Sequence, residues 1–224
     1  VDERITAGRV VEASYGALLE VLAGVDEDTS WAPTGCTGWA VRDLVFHLLM
    51  DAQRGLVALH TPGAGPADRD AVTYWADWQP GTEGAANGRR FVRVASSMFL
   101  RFGQLRGLYE ETARAAVHAG AAADPAALVA TQGHVLSAAD LLVTLAVEAT
   151  IHHLDLVARL PQAPGPSAAG LAAVRATLDG LLGRQVPLDW DDAHYARAAT
   201  GRLPIADDER RALGPDAARL PLLG

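Results

Sequence analysis

The chain has a single cysteine, Cys36, and no lysine: all nineteen basic residues are arginines, set against twenty-seven acidic ones. A lone cysteine excludes an internal disulfide and a structural zinc site built from thiolates. The net charge of −8 at pH 7 argues against a nucleic-acid groove and against a polybasic membrane patch. Long, clean apolar runs are missing as well. No stretch suffices to span a bilayer, and no early segment has the charged-then-apolar order of a secretory signal. These absences lead to the expectation of a cytoplasmic protein with neither nucleic acid nor membrane as a partner. What is present is hydrophobic content: half of the 224 residues, enough for one substantial core plus a small appended unit, and too much for long disorder.

Apolar spacing marks out helices. Ile5, Val10, Val11, Tyr15, Leu18, Leu19 and Leu22 predict a first amphipathic helix from Glu3 to Leu22, ended by Gly24. Residues 26–38, with Pro33, Gly35 and Gly38, read as a loop. A second helix runs from Val41 to about His60, with Asp43 favoured in its first turn by the helix dipole. The stretch from Thr61 to about Gly84 is rich in Pro, Gly and Asp and holds Tyr74, Trp75 and Trp78; a long connection of this kind is expected to serve as a lid or pocket wall. Periodicity from Ala85 to Val117 predicts one long third helix, whose exposed length could pair with a second copy, so monomer and homodimer both stay open. After a turn-plus-extended region, Ser137 and Asp140 look like a capping box for a fourth helix, closed off near Leu160 by Pro161, Pro164 and Pro166. Ser167 caps a fifth helix to about Leu182, an irregular segment follows, and a last small helix spans Ala206 to Leu213. The expected fold is mainly α: a four-helix bundle over residues 1–164 with a short α-rich cap over 165–224.

One stretch stands out chemically. From Leu141 to Leu156 the fourth helix is apolar enough to be buried, yet Glu148, His152 and Asp155 interrupt it at i, i+4 and i+7, which stacks them on one face. A carboxylate and an imidazole in apolar surroundings are costly unless paired, and a metal ion is one common solution. His47, on the second helix, is the candidate for a third ligand, since bundle cores are where facing helices converge on metals. Two histidines and a glutamate leave a coordination position open, the arrangement of catalytic zinc; nickel, cobalt or iron would suit the same donors. On spacing alone, a hydrogen-bonded core histidine and carboxylate remain the alternative.

Gly38-Trp39-Ala40-Val41-Arg42-Asp43-Leu44-Val45-Phe46-His47-Leu48, preceded by Pro33-Thr34-Gly35-Cys36, resembles the signature of the mycothiol-dependent maleylpyruvate isomerase family, one of the DinB-like metal-binding bundles. Glu148-Ala149-Thr150-Ile151-His152-His153-Leu154-Asp155 is similar to that family's second motif. The end of the chain, from Thr200-Gly201-Arg202-Leu203-Pro204 to Pro221-Leu222-Leu223-Gly224, resembles tails common in the group. The resemblance implies a DinB-like bundle whose metal ligands are His47, Glu148 and His152, with zinc as the expected divalent metal and mycothiol as thiol cosubstrate. Two features depart from the pattern. Ala40 stands where a Thr or Ser helix cap is usual, and the tail is much shorter than the sterol-carrier-like second domain of the namesake isomerase.

The resemblance further implies that a thiolate adds to an electrophilic small molecule. If the sulfur stays, the enzyme is an S-transferase, the outcome favoured here for a short tail; if it leaves after bond rotation, the enzyme is a cis–trans isomerase. A bundle that only binds metal or a small ligand is the alternative of another class. Around the triad, Asp155 is placed for a hydrogen bond to an imidazole, and Arg202 for a fork over the bundle mouth toward a substrate carboxylate. Asp51, Arg54 and Trp78 are candidates for contact with the thiol cosubstrate. Cys36 reads as a small buried loop residue, and His153, about 100° round the helix from His152, as a packing or surface histidine.

Overall fold

The computed structural model describes residues 3–77 and 83–223. Its helices are α1 (Glu3–Ala23), α2 (Val41–Leu59), α3 (Glu83–Ser96), α4 (Phe102–Ala122), α5 (Ala138–Val157), α6 (Ala168–Leu182), α7 (Asp192–Ala199) and α8 (Asp207–Leu213), with a two-stranded hairpin of β1 (Leu128–Thr131) and β2 (His134–Ser137) before α5. The bundle is made by α1, α2, α4 and α5: α2 packs on α4 and α5, and α1 on α5 and α4. Its core is largely aliphatic, with the rings of Tyr15, Trp39, Phe46, Phe102 and Tyr109 buried among the aliphatic side chains. Among the described residues no helix is long and apolar enough to cross a membrane.

The fourth bundle helix, α5, starts where its cap predicts, with the Ser137 hydroxyl accepting the Asp140 N–H at 3.0 Å. It is buried on nearly every face because two cores share it. Leu141, Leu142 and Leu145 face the bundle core. Val147, Ile151 and Leu154 face a second core completed by Val174 and Leu178 of α6 and Tyr195 of α7. That double burial explains why its sequence is apolar all round rather than striped.

The expected single helix from Ala85 to Val117 is two helices. At the break the Ser96 and Ser97 hydroxyls donate back to the carbonyls of Arg93 and Val94, offering the backbone an alternative to the helical ladder. Arg101 is then extended, at φ −131° and ψ 139°, and the N–H of Phe102 turns to Glu27 Oε2 at 2.7 Å. The apolar period runs across the break because Met98 and Phe99 match it by spacing, although Met98, 81% exposed, packs in no core. The extended region expected through Gly133 closes into the hairpin, with Gln132 and Gly133 both at positive φ (50° and 85°), as a tight two-residue turn requires. The segment expected to be irregular contains α7, whose N-cap is the Asp191 side chain accepting the His194 N–H at 2.7 Å.

The described part of the 61–84 connection, up to Asp77, is pinned to the hairpin. Gly63 N–H donates to Leu128 O (2.8 Å), Ala130 N–H to Thr61 O (2.9 Å) and Asp68 N–H to Val135 O (3.0 Å). The hairpin thereby holds the turn Thr73–Asp77 against α5 and fixes Tyr74 and Trp75, both buried.

Candidate metal centre

His47 comes from α2, Glu148 and His152 from adjacent turns of α5, and the three meet. Glu148 Oε1 lies 3.0 Å from His47 Nε2 and 3.4 Å from His152 Nε2. One donor atom from each residue falls within 4.8 Å of the other two, and the two imidazoles sit edge to face, their centroids 4.6 Å apart. The helices approach this closely because Gly55 of α2 has no side chain: a Cβ there would stand 2.5 Å from Leu145 Cδ1. Ala40 opens α2 without a side-chain cap, and the Asp43 carboxylate accepts the Ala40 N–H at 2.9 Å instead.

Each triad member is held by further neighbours. His152 Nδ1 lies 3.0 Å from Asp155 Oδ2, so the carboxylate accepts the Nδ1 proton and fixes the ring with Nε2 directed toward Glu148. Asp155 is gripped by Arg202 through Nε (2.8 Å) and Nη2 (2.9 Å), while Arg202 Nη1 donates to Thr200 O at 3.2 Å. Cys36 joins the same hub, its thiol donating to Asp155 Oδ2 at 3.0 Å, with the sulfur 3.6 Å from His152 Nδ1. The loop bearing Cys36 comes this near because a Cβ on Gly35 would meet Asp155 Cα at 3.0 Å; the Gly35 N–H instead donates to Asp155 O at 2.8 Å. On the other side, the Asp51 carboxylate pairs with Arg54 and sets Oδ2 3.3 Å from His47 Nε2.

Electrostatics follow from this packing. Burial pushes the Glu148 carboxyl upward, but the hydrogen bonds from His152 and His47 outweigh it and hold it well below the usual carboxylate range. Burial likewise opposes a charged His152, yet Cys36, Asp155 and Glu148 together raise the imidazole well above its ordinary value. Asp155 is held low against its burial by His152 and Arg202. Asp51 moves the other way: burial lifts it, and His47 and Arg54 offset only part of that.

The donor set fits a metal ion. Two donors each about 2.0–2.1 Å from one tetrahedral ion lie about 3.3 Å apart, close to the separations Glu148 makes with both imidazoles. A second group, Cys36, His152 and Asp155, is also within 4.8 Å, but Arg202 occupies both Asp155 oxygens, so a cation there would face a guanidinium. That group is a hydrogen-bond hub.

The triad opens into a cavity of about 170 Å³. Asp51, Arg54 and Arg202 supply polar wall, and Leu141, Leu145, Ile151, Leu223, Tyr74 and Trp75 supply the apolar remainder. The expected site residues His47, Glu148, His152, Asp51, Arg54 and Arg202 thus come together at one cavity, with Asp155 directly behind it. Trp78 lies outside the described residues. His153 turns away and bonds the Pro164 carbonyl at 3.0 Å. Sequence reasoning missed the contacts of Cys36 and the ion pair of Asp155 with Arg202, which join residues far apart in the chain. It also missed Trp39, whose ring lies 5.2 Å from that of His47, although Trp39 belongs to the motif that pointed to His47.

A family model described as the mycothiol maleylpyruvate isomerase N-terminal domain matches residues 11–157, the span that carries the whole triad. No curated protein matches. Two solved structures share the fold: a mycothiol-dependent maleylpyruvate isomerase and a histidine-to-alanine variant of it. Each has a TM-score of 0.52 and 22% identity, over 81% of this chain and 68% of the other.

Proposed function

The chain belongs to the mycothiol maleylpyruvate isomerase family, a family of enzymes, and we propose that it holds a divalent metal, zinc for preference, on His47, Glu148 and His152, and uses mycothiol as cosubstrate to attack an electrophilic small molecule. The observation that carries this reading is the convergence of three donors from two helices at the end of a cavity with an apolar wall. A metal bound there would lower the pKa of a thiol so that it is held as thiolate.

The chain's own residues divide the remaining work. Asp155 fixes the tautomer and orientation of His152, and Arg202 holds Asp155 while keeping a guanidinium at the cavity wall. Asp51 and Arg54, paired with each other, border the cavity where the polar parts of the thiol would lie. The apolar wall excludes water from the attacked carbon. We favour S-transfer, in which the new carbon–sulfur bond is kept; isomerisation, in which it forms and breaks again, is the second reading and rests on the family's namesake activity.

Metal analysis of the purified protein, followed by mass spectrometry after mixing it with mycothiol and candidate electrophiles, tests the proposal. Stoichiometric metal and thiol-dependent thioether products support it. Turnover without thiol would point to a hydrolase, and metal without thiol affinity to a binding module.

A further inference from the structure

Five large apolar side chains stand more than half exposed on one side of the bundle: Trp31 at 58%, Phe91 at 57%, Val94 at 59%, Met98 at 81% and Leu100 at 85%. They belong to one continuous surface. Phe46 of α2 forms its floor, with its ring 6.2 Å from that of Phe91 and 6.2 Å from that of Phe99. Arg42 ties in the Trp31 end, donating to Phe99 O at 2.9 Å with its guanidinium 4.0 Å over the Trp31 ring. Val94 follows Phe91 by one turn of α3, and Met98 and Leu100 flank Phe99 at the break before α4. At roughly 150–250 Å² for a large side chain, the five expose about 600 Å² of apolar surface. Scattered apolar residues are ordinary, but a contiguous patch of this size is at the upper end for a protein that stays alone. A stable homodimer buries about 800 Å² on each partner, about two thirds of it apolar, and the patch supplies that apolar share.

The charges around the patch suit a surface that fits itself. Arg89, Arg90 and Arg93 lie exposed on α3, and among the described residues none of the three pairs with a carboxylate. At the Trp31 end stand Asp26, Glu27 and Asp28, all exposed. Arg42, 3.6 Å from Glu27, and the exposed Arg101 offset part of that charge. A partner of one sign would meet like charge at one end, which is costly. A second copy turned about a twofold axis instead sets each acidic end on the arginines of its mate. We infer that this face, with Trp31, Phe91, Val94, Met98 and Leu100 at its centre, is the interface of a twofold-symmetric homodimer. The break between α3 and α4 then has a use, since it turns Met98 and Leu100 out of the core and into the contact. The inference is independent of the metal and thiol readings.

Sedimentation equilibrium of the full chain, from about 1 µM to about 200 µM, is expected to show monomer and dimer in exchange, with a dissociation constant in the micromolar range or below. Met98→Glu with Leu100→Glu puts two carboxylates at the centre of the contact and should raise that constant at least about 100-fold. The urea midpoint, measured at a concentration where both proteins are monomeric, should stay unchanged, because both side chains already face water. Two charge variants test the pairing: Arg90→Glu with Arg93→Glu, and Asp28→Arg, whose native carboxylate caps no helix. Each alone should dimerise about three- to tenfold more weakly than wild type. An equimolar mixture should regain wild-type affinity, since the mixed dimer sets glutamates against an arginine at one end and keeps the native pairing at the other. A chain that stays monomeric at the highest concentration, or a dimer untouched by Met98→Glu with Leu100→Glu, would overturn the inference and leave the face to a different partner. A mixture no tighter than either charge variant alone would overturn the twofold pairing of acids with arginines.

Discussion

Replacing Asp155 by Ala removes the one group that joins His152, Arg202 and Cys36. Its side chain is 2% exposed and that of Arg202 19%, so the substitution strands a largely buried guanidinium and leaves the His152 Nδ1 proton without an acceptor. Breaking a buried pair from one side costs about 3–5 kcal/mol, and the residual exposure of Arg202 places the expected loss near the lower end, about 3 kcal/mol. Loss of a partner behind a metal-binding histidine typically lowers metal affinity about 10- to 100-fold. Removing Arg202 as well relieves the stranded charge, so Asp155→Ala with Arg202→Ala should be less destabilised than the sum of the two single variants. Arg202→Ala alone should weaken zinc much less than Asp155→Ala, because it does not touch His152. Urea denaturation of the metal-free proteins gives the stabilities, and competition against a chromophoric chelator gives the zinc affinities. Wild-type zinc affinity in Asp155→Ala, or strict additivity in the double variant, would refute the role assigned to this carboxylate.

Three further outcomes are expected. His47→Ala should abolish metal content while changing the melting temperature of the metal-free protein little, since the His47 side chain is already 22% exposed; elemental analysis showing unchanged metal would sink the triad. Gly35→Ala puts a Cβ against the Asp155 backbone and should cost about 1–3 kcal/mol, read as a lower urea midpoint; an unchanged midpoint would mean that the loop is not seated on α5. The third concerns pH. His152 has a raised folded pKa, so its contribution to metal-free stability is complete below about 6.5 and fades as pH rises through the folded value; Glu148 and Asp155, depressed, contribute fully above about 4.5 and lose it as pH falls. The metal-free protein should therefore be less stable at pH 8.5 than at pH 5.5. Zinc, which needs the neutral imidazole, should bind more tightly as pH rises and release protons at pH 7, seen as buffer-dependent heats in calorimetry.

Local patterning wrote much of this molecule directly. The spacing of apolar residues and the Ser137 and Ser167 caps placed α1, α2, α5 and α6, because those signals act within one or two helical turns. The i, i+4 pair Glu148 and His152 was legible for the same reason, and the motif around Trp39 to Leu48 singled out His47. Where the chain turns against its own period, local pattern misled: Met98 and Phe99 keep helical spacing while Ser96, Ser97 and Arg101 end one helix and begin another. Only the tertiary structure could bring His47 to within 3.0 Å of Glu148, set Cys36 and Arg202 on a single carboxylate, and close Trp75 over the cavity. Those contacts depend on how closely separate elements approach, at Gly55 against Leu145 and at Gly35 against Asp155, and such distances are decided by packing between residues far apart in the chain.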